Sequence, residues 1–309
     1  MDTKKMILGT RGSELAMWQA NRMKELLLKA NPGIEIEIKT IKTKGDIVTE
    51  VPLGKIGDEG LFTKALEDEL ILGRIDVAVH SCKDLPTKLA NELYIAAYPE
   101  REDPRDMLIS FKANKLIELD MKARVGTSSL RRKAFLTRLR PDLTFLPLRG
   151  NIDTRINKLK DDEMDAVIMA SAAVKRLNIK EAIAEIFESS VFVPAVGQGI
   201  IALEMRKDGK QRELVKKIDD PKVRICAQAE RSLLRTLNGG CQVPIGCYAQ
   251  VENGRLGILA AVSSLDGKRY IEKTIEGDIS DPERLGADLA KKIIDDGADE
   301  ILDEIRQKK

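Results

Sequence analysis

Hydrophobic and polar positions fall into two rhythms, one of period two and one near 3.6, and the changes of rhythm mark out elements. Met6–Gly9 is a short apolar run that predicts a strand. Ser13 then stands where an N-cap belongs, before Ala16, Ala20, Met23, Leu27 and Ala30 at 4-3-4-3 spacing. Asn31-Pro32-Gly33 stops that helix. Ile34, Ile36 and Ile38 alternate with Glu35, Glu37 and Lys39, as in a half-buried strand. A glycine-rich stretch, Leu53 to Gly60, leads into a helix over about Phe62–Leu72. Ile75–Val79 reads as a buried strand ending at His80-Ser81-Cys82-Lys83-Asp84.

Residues 99–106, PEREDPRD, hold two prolines and six charges, which reads as a linker or hinge. The same grammar resumes beyond it. Ala123–Gly126 predicts a strand, Thr127-Ser128-Ser129 a cap, and Leu130–Leu139 a helix halted by Pro141. Thr144–Leu148 predicts a strand, Arg149-Gly150-Asn151 a turn, and Asp153–Leu159 a helix. Ala166–Met169 is another strand, followed by Ser171 and a short helix through Arg176. Val193–Gly199 reads as a second crossover, and Ile200–Glu204 as a strand returning to the first domain. A helix over 222–238 ends at Asn238-Gly239-Gly240. Strands near Tyr248–Val251 and Leu256–Val262 and a last helix over about Pro282–Ile305 complete the chain. Strands alternating with helices in the first two units argue for α/β folds with largely parallel sheets.

Composition removes several function classes. In 309 residues, 43% apolar and 33% charged, the net charge is only +2, so no global basic field exists to hold nucleic acid. Ala166–Val174, among the longest apolar runs, falls far short of the ~18 residues of a membrane span. The N-terminus has no sustained apolar stretch, so no secretory signal is expected. The four cysteines (Cys82, Cys226, Cys241, Cys247) form no CxxC, and neither a disulfide framework nor a zinc site is expected. His80 is the one histidine, which excludes any two-histidine mechanism.

The chemistry gathers at the strand-to-helix turns. Arg11 and Ser13 follow the first strand, and Lys83 and Asp84 follow Ile75–Val79. Thr127, Ser129, Arg131 and Arg132 follow the 123–126 strand. Arg149 and Arg155 bracket the next turn, and Ser171 with Arg176 the one after. Such turns line the crevice at the carboxyl ends of an open α/β sheet, where helix N-termini favour anions. Residues 124–155 hold eight Lys/Arg against two acids. Arg binds carboxylate or phosphate bidentately, so several anionic groups are the expected ligand. Phosphate is disfavoured, because there is no GxxxxGK[ST] loop and Asp58 and Glu59 sit in the glycine-rich stretch. The bland alternative is a solvated basic face, to which Arg138 and Arg140 are assigned. Asp84 either pairs with Lys83 or caps a helix, or else faces a cation formed in a reaction. Cys241, in a tight Gly-Gly-Cys-Gln-Val-Pro turn, is either a small buried hydrophobe or a nucleophile or attachment point. His80 reads as a satisfied structural histidine.

LGTRGSELAMWQ, DVAVHSCKDLPT, REDPRD, VGTSSLRRKAFL, LRGNIDTRINKL, VPAVGQGIIALE and AERSLLRTLNGGCQVPIG, with their spacing, resemble the porphobilinogen deaminase (hydroxymethylbilane synthase) family along nearly the whole chain. The resemblance implies an α/β fold of three domains. Two are lobes like those of periplasmic binding proteins with mainly parallel sheets, at 1–99 with 197–217 and at 100–196. The third, 218–309, is a small α/β domain carrying the cofactor cysteine. The implied reaction condenses four porphobilinogen molecules head to tail on a dipyrromethane cofactor attached through Cys241. It releases ammonia and, after hydrolysis, hydroxymethylbilane. Lys83, Thr127, Ser129, Arg131, Arg132 and Gly150 would hold the cofactor. Arg11, Ser13, Gln19, Arg149, Arg155, Ser171 and Arg176 would contact substrate or growing chain, and Asp84 would be catalytic. A cytoplasmic monomer without metal, nucleic-acid or membrane partner is expected. The alternative reading is a non-catalytic two-lobed carboxylate-binding or effector-sensing protein. One departure stands out: Glu59 replaces the Lys of a GGKGLF motif, with Lys55 and Lys64 nearby.

Overall fold

The computed structural model describes residues 5–43, 45, 62–180, 182–240 and 243–307. The first strands are β1 (Lys5–Thr10), β2 (Glu35–Thr40), β3 (Val77–Ser81) and β4 (Leu93–Ala97). Next come β5 (Asp106–Ile109), β6 (Arg124–Gly126), β7 (Thr144–Leu146), β8 (Ala166–Ala170) and β9 (Ile183–Ile186). The last are β10 (Ile201–Arg206), β11 (Ile245–Glu252), β12 (Arg255–Ser263) and β13 (Tyr270–Asp278). The helices begin with α1 (Glu14–Ala30), α2 (Lys64–Ile71), α3 (Leu130–Leu139), α4 (Ile152–Lys160) and α5 (Ser171–Arg176). They continue with α6 (Arg212–Lys216), α7 (Pro221–Thr236), α8 (Pro282–Asp295) and α9 (Ala298–Gln307).

The chain forms two compact units, residues 1–101 with 200–227 and residues 102–199 with 228–309. The first is built on a five-stranded sheet of order β2-β1-β3-β10-β4. β1 pairs in parallel with β2 and β3, while β10 runs antiparallel to both β3 and β4. Four strands therefore point one way and β10 opposes them. The second unit repeats this plan in the order β7-β6-β8-β5-β9, with β5 the opposed strand. In both sheets the opposed strand is the one that follows a passage of the chain from one unit to the other.

Ser13 caps α1 by accepting from the Ala16 N–H at 3.3 Å. The 4-3-4 spacing behind it buries Ala16, Ala20, Met23 and Leu27, and the last three pack with Met6, Leu8, Val77 and Leu203 of the sheet. Each Leu or Met so buried contributes ~1.5–3 kcal/mol. In the second unit Phe135, Phe192, Val125 and Ile168 form the matching core. The C-terminal part is a three-stranded antiparallel sheet, β11-β12-β13, against which α8 packs.

Two expectations change here. The last helix is two helices, because Gly297 adopts φ +93 between α8 and α9. Asp106 is not linker: it opens β5, a strand buried at every position.

Candidate functional site

Pairing of β1 with β3 sets their carboxyl-terminal turns side by side. After β1 come Arg11 and the Ser13 cap; after β3, one 3₁₀ turn over Cys82–Asp84 carries Lys83 and Asp84. Gln19, one turn into α1 and 3% exposed, donates through Nε2 to Ser81 Oγ at 2.9 Å, so helix and strand end are tied. These turns enclose a pocket of about 70 Å³ lined by Arg11, Ser13, Gln19, Phe62, His80 and Asp84 among others. The Arg11 guanidinium lies over the Phe62 ring, 4.2 Å from its centroid, a cation–π contact. The pocket thus presents a cation and a carboxylate to one small space. In the sequence Phe62 stands at a helix start and at the end of the stretch compared with GGKGLF; nothing in its spacing marks it as a wall.

Behind this wall His80 Nε2 lies 3.1 Å from Glu204 Oε2. His80 is therefore satisfied within the fold, as read from the sequence. Glu67, also buried, is pushed up from the usual carboxylate range, by burial first and by the Glu204 charge second.

The turns of the second sheet hold the other group of residues. Ser129 caps α3, accepting from the Arg132 N–H at 3.3 Å, and Thr127 Oγ1 accepts from the Ser129 N–H at 3.2 Å. Ser128 Oγ bonds both the carbonyl and the N–H of Leu148, at 2.9 and 3.0 Å, which sets the β6 turn beside the 149–151 turn. There Gly150 takes φ +102, and its carbonyl accepts from Arg155 Nε at 3.0 Å. Asn151 caps α4 through Thr154. Arg176 Nη2 donates to the Gly199 carbonyl at 2.7 Å.

Arg131 and Arg132 are not displayed on the surface. They are 4% and 8% exposed, and both bond the fully buried Asp106. Burial alone would push Asp106 up, but the two adjacent guanidinium charges hold its carboxyl below the usual range. Arg140, assigned to a solvated face by sequence, instead donates to the Leu116 and Leu119 carbonyls at 2.8 and 3.1 Å. Arg138 lies 3.9 Å from the Tyr270 ring centroid. Both are structural.

The described residues on either side of 241–242 are anchored. The Gly239 N–H bonds the Leu234 carbonyl at 2.8 Å, and beyond the loop the Cys247 N–H bonds the Pro194 carbonyl at 2.8 Å. Cys241 itself, with Lys55, Asp58 and Glu59, lies outside the described residues. Lys64 pairs with Asp68 at 2.7 Å.

The second unit fits a ligand rich in acceptor oxygens. Arg131 Nε and Ser171 Oγ are buried and have no hydrogen-bond partner. Two guanidiniums share one carboxylate, which leaves a positive charge in a dry wall. Both features are costly unless a bound anion completes them.

Residues 6–213 match the family model described as "Porphobilinogen deaminase, dipyromethane cofactor binding domain", and residues 224–295 match "Porphobilinogen deaminase, C-terminal domain". A porphobilinogen deaminase of Carboxydothermus hydrogenoformans is 48% identical over 98% of this chain and 98% of its own. One of Chlorobium phaeobacteroides is 46% identical over 98% and 99%. One of Syntrophomonas wolfei is 46% identical over 97% and 98%.

Proposed function

The chain belongs to the porphobilinogen deaminase family, and from that membership we propose that it joins four porphobilinogen molecules head to tail on a dipyrromethane primer. Each joining releases ammonia, and hydrolysis frees the linear tetrapyrrole hydroxymethylbilane. On this reading it is a transferase, a hydroxymethylbilane synthase, of porphyrin and heme biosynthesis.

When bound, the dipyrromethane would supply a nucleophilic ring carbon. Cys241 would hold it through a thioether. Lys83, Thr127, Ser129, Arg131, Arg132 and Gly150 bind its carboxylate arms or approach its rings. Arg11, Ser13, Gln19, Arg149, Arg155, Ser171 and Arg176 receive the acetate and propionate groups of substrate and product chain. Asp84 faces the positive charge that develops on the substrate as ammonia leaves, and passes protons in a chain with a single histidine.

The observation that carries this reading is the shared pocket of Asp84 with Arg11, Ser13 and Gln19. An acidic substrate whose reaction creates a cation needs both signs of charge at one place. Residues 218–309 act as a third domain presenting Cys241. The protein works as a cytoplasmic monomer on small molecules, without nucleic acid or membrane; no described helix is long and apolar enough to cross one. The test is to give the purified protein porphobilinogen and measure ammonia and linear tetrapyrrole together. Release of both is expected. Binding without ammonia would overturn the reading in favour of a non-catalytic carboxylate binder.

A further inference from the structure

Asp106 has no role in the reading above, yet the cationic wall converges on it. It is fully buried at the start of β5. Its Oδ2 accepts from Arg131 Nη2 at 2.7 Å, and its Oδ1 from Arg132 Nε and Nη2 at 2.9 and 2.7 Å. Each guanidinium is also held at its other end. Arg131 Nη1 donates to the Val193 carbonyl at 2.7 Å, and Arg132 Nη1 to the Ile168 carbonyl at 3.0 Å. A planar fork tied at two nitrogens cannot rotate, so its remaining donors point in fixed directions.

Five N–H donors per arginine make the inventory plain. The bonds above use two on Arg131 and three on Arg132. Arg131 Nε is among those left over, buried and without an acceptor. The β5–β8 register sets Asp106 opposite Ala170, next to Ser171, whose buried hydroxyl also lacks a partner. Around one carboxylate the fold thus leaves two buried, unsatisfied donors, Arg131 Nε and Ser171 Oγ, and an excess positive charge.

We propose that Asp106 is the positioning residue of the cofactor wall, orienting Arg131 and Arg132 so that their unused donors meet the carboxylate arms of the dipyrromethane. This rests on the reading that the wall receives that group. Asp106 touches the guanidiniums and not the ligand. What it contributes is direction as well as charge, and the two can be separated. Asp106→Asn keeps the shape and removes the charge; Asp106→Glu keeps the charge and displaces it by one methylene.

Both variants and the unaltered chain are produced without a porphobilinogen supply, then given porphobilinogen while intact mass and thermal unfolding are followed. The unaltered chain should gain the mass of two pyrrole units. Both variants should unfold cooperatively yet gain that mass at least tenfold more slowly, Asp106→Glu included. Wild-type loading in either folded variant overturns the proposal. If Asp106→Asn fails to fold, Asp106→Glu alone decides. If neither folds, Asp106 is a folding residue and the proposal fails. No mass gain in the unaltered chain would instead remove the cofactor reading, and this proposal with it.

Discussion

His80 Nε2 and Glu204 Oε2 stand 3.1 Å apart on neighbouring antiparallel strands, with neither side chain reaching solvent. Glu67 lies close to this pair, and burial first, with the Glu204 charge second, pushes its carboxyl above the usual range. Between the ordinary glutamate value and the raised one, the folded chain binds more protons than the unfolded chain. Stability therefore falls as pH climbs through that interval. Glu67→Gln removes the titration without changing the shape. Denaturant unfolding from pH 4 to pH 8 should show a flatter profile for Glu67→Gln than for the unaltered protein. Parallel profiles would mean that Glu67 titrates normally.

Asp84 offers a sharper kinetic test. A carboxylate ~4 Å from a developing cation, at an effective dielectric of ~20, is worth ~4 kcal/mol, or about three orders of magnitude in rate. Asp84→Asn should bind porphobilinogen and release ammonia about 10³-fold more slowly. Near-normal turnover in a single-turnover assay would remove Asp84 from the mechanism.

Much of this site was legible because caps and turns are local chemistry. Ser13 and Ser129 each announce a helix start, and each does cap one; Asn151, read only as part of a turn, caps α4 as well. The turns that follow β1, β3, β6, β7 and β8 carry the residues picked from spacing alone. What stayed hidden was decided by distant partners. Asp106 looks like one more charge in PEREDPRD; only the fold brings Arg131 and Arg132, 25 and 26 residues on, to its carboxylate. Glu204 lies 124 residues from His80. β13 escaped notice for another reason. Along one side of it Ile271, Lys273, Ile275 and Gly277 follow one another, so two of four half-buried positions are not apolar and the period-two signal fades. β4, β9 and α6 are short elements that left no clear rhythm.

Gly150 tests the turn itself. Its φ of +102 disfavours any other residue, and a Cβ there would come within 2.8 Å of Thr154 Cγ2. Gly150→Ala should cost roughly 1–3 kcal/mol of stability, read by denaturant unfolding. It should also slow cofactor loading, because Arg155 hangs from the Gly150 carbonyl. Unchanged stability would show that the turn relaxes without strain.

The central claim is that a tethered pair of pyrroles sits in this protein and primes its reaction. Intact-protein mass spectrometry addresses it directly, comparing the unaltered chain with Cys241→Ser after both are supplied with porphobilinogen. The account predicts a mass above that of the sequence by two pyrrole units, present in the unaltered chain and missing in Cys241→Ser. An unmodified chain that still makes linear tetrapyrrole would contradict it.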